Sequence, residues 1–125
     1  MSMIKKTLAV VAITAALFSS SVMANAAGDA KVRAAGEETL AKVQEALALT
    51  QKGADKTEVL KVLSDVRQSQ KEFRYEQTER LRQKAGDKLK TAREEVDAGN
   101  PNAAATLQAT LDLYKEMMKI YSAAH

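Results

Sequence analysis

The stretch Lys71–Lys90, "KEFRYEQTERLRQKAGDKLK", decides how this chain folds. Most of its residues are strong helix formers, and its first breaker is Gly86. By propensity alone it continues one helix from Lys56 to about Ala98. The apolar spacing argues otherwise. Before it runs the stripe Val59, Val62, Leu63, Val66 and Phe73, and after it Leu81, Ala85, Leu89, Ala92 and Val96. A single rod carrying both stripes would leave apolar surface uncovered unless two chains dimerised or exchanged helices. A turn at "RYEQT", Arg74–Thr78, with Thr78 at the N-cap, lets every stripe meet within one chain. The closed bundle is therefore the expected form, and a homodimer its alternative. The turn would be built without glycine or proline, which is poor local turn chemistry.

Two other breaks are clearer. "TQKGAD" ends the stripe Leu40, Val43, Leu47, with Gly53 placed to end a helix in the left-handed conformation. Asp55 and Glu58 then form a capping-box pattern. "DAGNPN" repeats the device, with Gly99 as the stop, Asn100 as a cap and Pro101 at the first helical position. The last stripe is Leu107, Leu111, Tyr114, Met118 and Tyr121. Leu40, Val43 and Leu47 align with Leu89, Ala92 and Val96, and Val59, Leu63, Val66 and Phe73 with Leu107, Leu111, Tyr114 and Tyr121. On that alignment the first helix starts near Asp29. Each half reads as helix, tight glycine turn, helix. Two such hairpins predict an all-α, up-down-up-down four-helix bundle.

The N-terminus has a different grammar. "MSMIKK" is basic, Thr7–Phe18 is an unbroken apolar run, and small residues follow up to Ala24-Asn25-Ala26. That order predicts a cleaved signal peptide over residues 1–26, cut after Ala26 with Ala24 as second choice, and a periplasmic domain over 27–125. The apolar run falls short of the roughly 20 residues needed to span a bilayer. Without Lys5 and Lys6 the formal net charge drops from +3 to +1, so no global field draws the chain to polyanions. The sequence holds no cysteine, which excludes thiolate chemistry and disulfide staples.

Charge is nonetheless uneven. Lys71–Arg93 carries eight basic and four acidic side chains, whereas residues 94–125 are net acidic. Phe73 and Tyr75 lie within the basic stretch, but Phe73 belongs to the apolar stripe, and nucleic-acid binding is not expected. Arg74, Arg80, Arg82, Lys84 and Lys88 are the candidate partner-binding residues, facing an acidic protein or envelope surface. The single histidine, His125, is the last residue, so neither a serine triad nor a multi-histidine metal site can form around it. The glycines are scattered and form no phosphate loop. No enzyme and no metal are expected. Met117 and Met118 are core filler by spacing and the only candidate soft ligands for a cofactor.

"EETLAKV", "LSDVRQSQKEF" and "VDAGNPNAAATLQATLDLYKEMMKIY" resemble segments of the soluble cytochrome b562 family. The resemblance implies a periplasmic four-helix bundle. That family's haem-ligating Met and His correspond here to Glu37 and Lys119, so the fold carries over while the ligands do not. The Gly53–Gly99 spacing is also similar to small periplasmic metal-binding proteins, whose histidines are missing here. The expected function is non-catalytic binding of a protein or envelope partner. Its alternatives are a b562-like haem carrier or a dimeric periplasmic spacer or chaperone.

Overall fold

A computed structural model of the chain describes residues 24–125. Of the expected signal peptide over residues 1–26, residues 1–23 lie outside the described residues, and its cut after Ala26 falls in the first described turn. The chain divides after Lys31, and Val32–His125 forms one compact unit. The described residues form four α-helices and no strand: α1 (Ala24–Gln51), α2 (Lys56–Glu72), α3 (Glu79–Ala98) and α4 (Ala103–Ala124). They form the all-α four-helix bundle that the stripes predict. None is long and apolar enough to cross a membrane.

α1 runs unbroken through Asp29, which therefore does not start it. Its end is built as the sequence predicts. Gly53 takes φ 77°, its N–H donates to Thr50 O at 3.2 Å, and Ala54 N–H reaches Leu49 O at 2.9 Å. This pair of bonds is a Schellman motif and satisfies two carbonyls that the helix leaves open. The turn after α3 repeats it: Gly99 takes φ 69°, with its N–H on Val96 O and that of Asn100 on Glu95 O. Caps differ in detail. Asp55 stands at the N-cap of α2, yet its backbone carbonyl and not its carboxylate takes the first N–H groups, so no capping box closes. α4 begins at Ala103, not Pro101, because Asn100 Oδ1 accepts the Asn102 N–H at 2.8 Å in an Asx turn that precedes the helix.

The decisive stretch turns. α2 stops at Glu72, Phe73–Tyr75 is non-helical, and a 3-10 turn over Glu76–Thr78 leads into α3. Tyr75 is extended, with φ −151° and ψ 127°. The continuous helix Lys56–Ala98, on which the dimer alternative rested, is not formed. Thr78 stands at the N-cap of α3 but does not cap with its side chain: it is buried, and its hydroxyl donates to Tyr75 O at 3.0 Å. Tertiary contacts replace turn chemistry. Phe73 is fully buried and meets Tyr121 edge-on at 6.5 Å, while Tyr75 meets Tyr121 at 5.3 Å and His125 at 5.1 Å.

The core joins the four stripes: Val43 and Leu47 from α1, Val59, Leu63 and Val66 from α2, Ala85, Leu89 and Ala92 from α3, and Leu107, Tyr114 and Tyr121 from α4. On α4 the stripe steps by three from Tyr114 and then by four to Tyr121, so Met117 is the buried methionine and Met118 flanks the core, the reverse of the predicted order. Buried hydroxyls are satisfied locally. Thr39, Ser69 and Thr110 each donate to the carbonyl four residues earlier. Lys42 pairs with Asp65 across α1 and α2, and Lys56 meets Asp97 across α2 and α3.

Gly36 sets how closely α1 approaches the end of α2 and α4. A Cβ at this position would lie 2.5 Å from Met118 Cε and 2.9 Å from the Phe73 ring. Alanine gains about 1 kcal/mol in helix propensity, and overpacking a core costs about 1–3 kcal/mol. Gly36→Ala should therefore lower stability by about 1 kcal/mol in chemical denaturation. A stabilised Gly36→Ala would show that this approach is not tight.

Candidate functional site

The two ends of α3 use their charges differently. Glu79 is its first residue, where a carboxylate meets the positive end of the helix. Arg82 lies one turn on and grips it with two bonds, Nε to Oε2 at 3.1 Å and Nη2 to Oε1 at 2.7 Å. Arg74, from the connection, approaches the same Oε1 at 3.6 Å. The hydrogen bond from Arg82 is the main reason the Glu79 carboxyl lies below its ordinary range, with desolvation working against it. Its contribution to stability is therefore present above the unfolded carboxyl value of about 4.3 and is lost as the pH falls below it. The arginine is reciprocally held in its charged form.

This pair sits beside a fully buried tyrosine. Tyr114 is fully buried, and its hydroxyl donates to Gln70 Oε1 at 3.1 Å, tying α4 to α2. Burial pushes its phenol far above the ordinary value of about 10, and the nearby Arg82 charge opposes this only in part.

The five arginines and lysines that the sequence offers as one surface are thus divided. Arg82 is turned inward, with 15% of its side chain exposed, and is committed to Glu79, so it is not part of an open face. Arg74 is exposed but shares the same carboxylate. Arg80, Lys84 and Lys88 are exposed, recur every four residues along α3, and make no ion pair with any described residue. Lys84 and Lys88 border a groove with Asp87, Thr91 and Thr106, which places them on the side of α3 nearest α4. This ridge is the part of the predicted surface that the fold brings together. Its four-residue spacing was visible in the sequence. The inward turn of Arg82 was not, because it depends on where α3 begins.

Met117 is fully buried on the stripe with Tyr114 and Tyr121. Glu37 and Lys119, the positions matching the haem ligands of the b562 family, are both exposed. The space beside Gly36 is filled by Met118 and the Phe73 ring. The residues present do not fit a haem at that place. Among the described residues no group of three or more histidine, cysteine, aspartate or glutamate side chains converges as a metal site would. Comparison of the chain with protein-family models, curated proteins and solved structures finds no match.

Tyr114 gives the site a pH signature. A folded phenol that keeps its proton after the unfolded one has lost it withdraws stability as the pH rises above about 10, by about 1.4 kcal/mol per pH unit. Tyr114→Phe should be about 1 kcal/mol less stable at pH 8, where the bond to Gln70 is lost. Above pH 10 its stability should fall less steeply than that of the parent chain. Urea titrations at pH 8, 10 and 11 measure both, and equal slopes would contradict the burial argument.

Proposed function

We propose that the chain is an exported, periplasmic, non-catalytic bundle protein that acts by binding an acidic protein partner through α3. The observation that carries this reading is the ridge Arg80, Lys84 and Lys88. Three cations stand exposed at i, i+4 and i+8, and no carboxylate among the described residues forms an ion pair with them. Lys42 with Asp65 and Lys56 with Asp97 show that some other cations of the bundle do meet carboxylates. A rigid row of unpaired charge steers an oppositely charged partner and fixes its register. Long lysine and arginine side chains also offer apolar stems to such a partner. Export is supported by the basic, apolar and small-residue order of residues 1–26.

The reading predicts a selective loss. In cells carrying the full-length chain, chemical crosslinking should capture a specific acidic protein, identified by mass spectrometry. Arg80→Glu/Lys84→Glu/Lys88→Glu should reduce that capture at least ten-fold while leaving the melting temperature within a few degrees, because the three side chains stabilise nothing in the fold. Capture should also weaken steeply with added salt. Undiminished capture by the reversed chain would overturn the assignment of the ridge.

A further inference from the structure

A second cluster of cations lies on the other side of α3, drawn from two helices and so not grouped by spacing along the chain. α2 and α3 run antiparallel, in a register marked by Lys56 against Asp97 at one end and Gln70 near Gly86 at the other. Between them is a groove of about 350 Å³ lined by Arg67 and Gln70 from α2 and by Gly86, Leu89, Lys90 and Arg93 from α3. Three of its six lining residues are cationic and none is acidic. None of the three makes an ion pair with a described residue.

Three features make this a built site and not a stretch of charged surface. The first is concavity: Gly86 contributes no side chain, and a Cβ there would meet only Gln70 Oε1 at 3.9 Å, so space is left where another residue would fill it. The second is an unsatisfied donor, since the Nε of Arg93 is buried with no acceptor among the described residues. Buried polar groups ordinarily find partners, and one that lacks a partner beside an open groove is poised for an external acceptor. The third is orientation. The Tyr114 hydroxyl donates to Gln70 Oε1, the acceptor nearest the open space at Gly86, so that oxygen is already engaged. Lys90 and Arg93 also border Glu94 and Asp97 in the next depression along α3, but no ion pair forms there, and Asp97 is held by Lys56.

We propose that the α2–α3 groove binds a phosphate group, free or as the monoester of a small molecule, through Arg67, Lys90 and Arg93. A tetrahedral dianion offers enough acceptor oxygens for two planar guanidinium forks and one ammonium together. A groove of this volume suits a small ligand, not a macromolecular face. The site is separate from the α3 ridge and does not depend on it.

The test is an NMR titration of the purified chain with inorganic phosphate, with chloride exchanged to hold ionic strength constant. The expected result is saturable binding, with shifts concentrated at Arg67, Gln70, Gly86, Leu89, Lys90 and Arg93 and at the Arg93 side-chain Nε–H. Arg67→Gln/Arg93→Gln should weaken it at least ten-fold. Gly86→Leu, which fills the groove without changing charge and improves helix propensity, should weaken it as much; circular dichroism checks that both variants fold. The Arg80→Glu/Lys84→Glu/Lys88→Glu chain should bind phosphate within about three-fold of the parent, which separates this site from the ridge. Vesicles of phosphatidylglycerol form a parallel arm. Vesicle binding that Gly86→Leu abolishes, alongside saturable phosphate binding, assigns a lipid headgroup as the source of the phosphate; absence of vesicle binding assigns a soluble one. Non-saturating shifts, equal shifts with chloride, or binding unchanged by Gly86→Leu would overturn the proposal.

Discussion

The fold depends on the burial of Phe73. Residues 71–90 are helix formers, and nothing local stops a helix there. What stops it is that Phe73, Tyr75 and Thr78 all have places inside the bundle that a straight helix could not reach together. Phe73 is fully buried against Tyr121, Tyr75 lies edge-on to Tyr121 and to His125, and the Thr78 hydroxyl closes on Tyr75 O. Burying an aromatic side chain removes a large apolar area from water and exceeds the few tenths of a kilocalorie per residue that helix propensity contributes here. Tertiary packing therefore overrides local preference at the one connection that determines whether the chain closes on itself.

That override explains which connections were legible. Gly53 and Gly99 could be read from the sequence because their role is local: a left-handed residue is needed to complete each Schellman pair, and glycine adopts it without steric strain. The break near Thr78 could be inferred only from the need to bury two stripes at once, and its form could not. The same limit applies to the caps. Asp55 and Thr78 occupy the positions that pattern assigns, yet one caps through its backbone and the other turns its hydroxyl inward. Residue identity locates a helix end better than it predicts which atom satisfies it.

Side-chain roles follow the same division. The stripes gave the core almost completely, because helical periodicity carries that information. The exchange of Met117 and Met118 shows its resolution: a stripe can advance by three or by four, and only the packing against Gly36 and Phe73 fixes which. Arg82 is a further case. By spacing it sits among the exposed cations of α3, but Glu79 opens the helix one turn earlier and takes its guanidinium inward, next to Tyr114.

The unpaired cations, finally, divide by geometry and not by composition. Arg80, Lys84 and Lys88 share a face through helical spacing alone, and so a single-helix reading finds them. Arg67, Lys90 and Arg93 share a groove only because the turn at Phe73–Thr78 sets α2 against α3 in one register. Had the helix continued, Arg67 would lie well over 30 Å along the same rod from Arg93, at 1.5 Å per residue. The interaction that closes the bundle is thus also the one that assembles the groove. Its depth comes from Gly86, a residue whose lack of a side chain is unfavourable in a helix interior and is otherwise unexplained by the fold. A glycine at mid-length of a helix, facing a neighbour it does not touch closely, costs helix stability and leaves space open. Around that space stand three cations that form no ion pair with a described residue, and one of them, Arg93, has a buried Nε without an acceptor among the described residues.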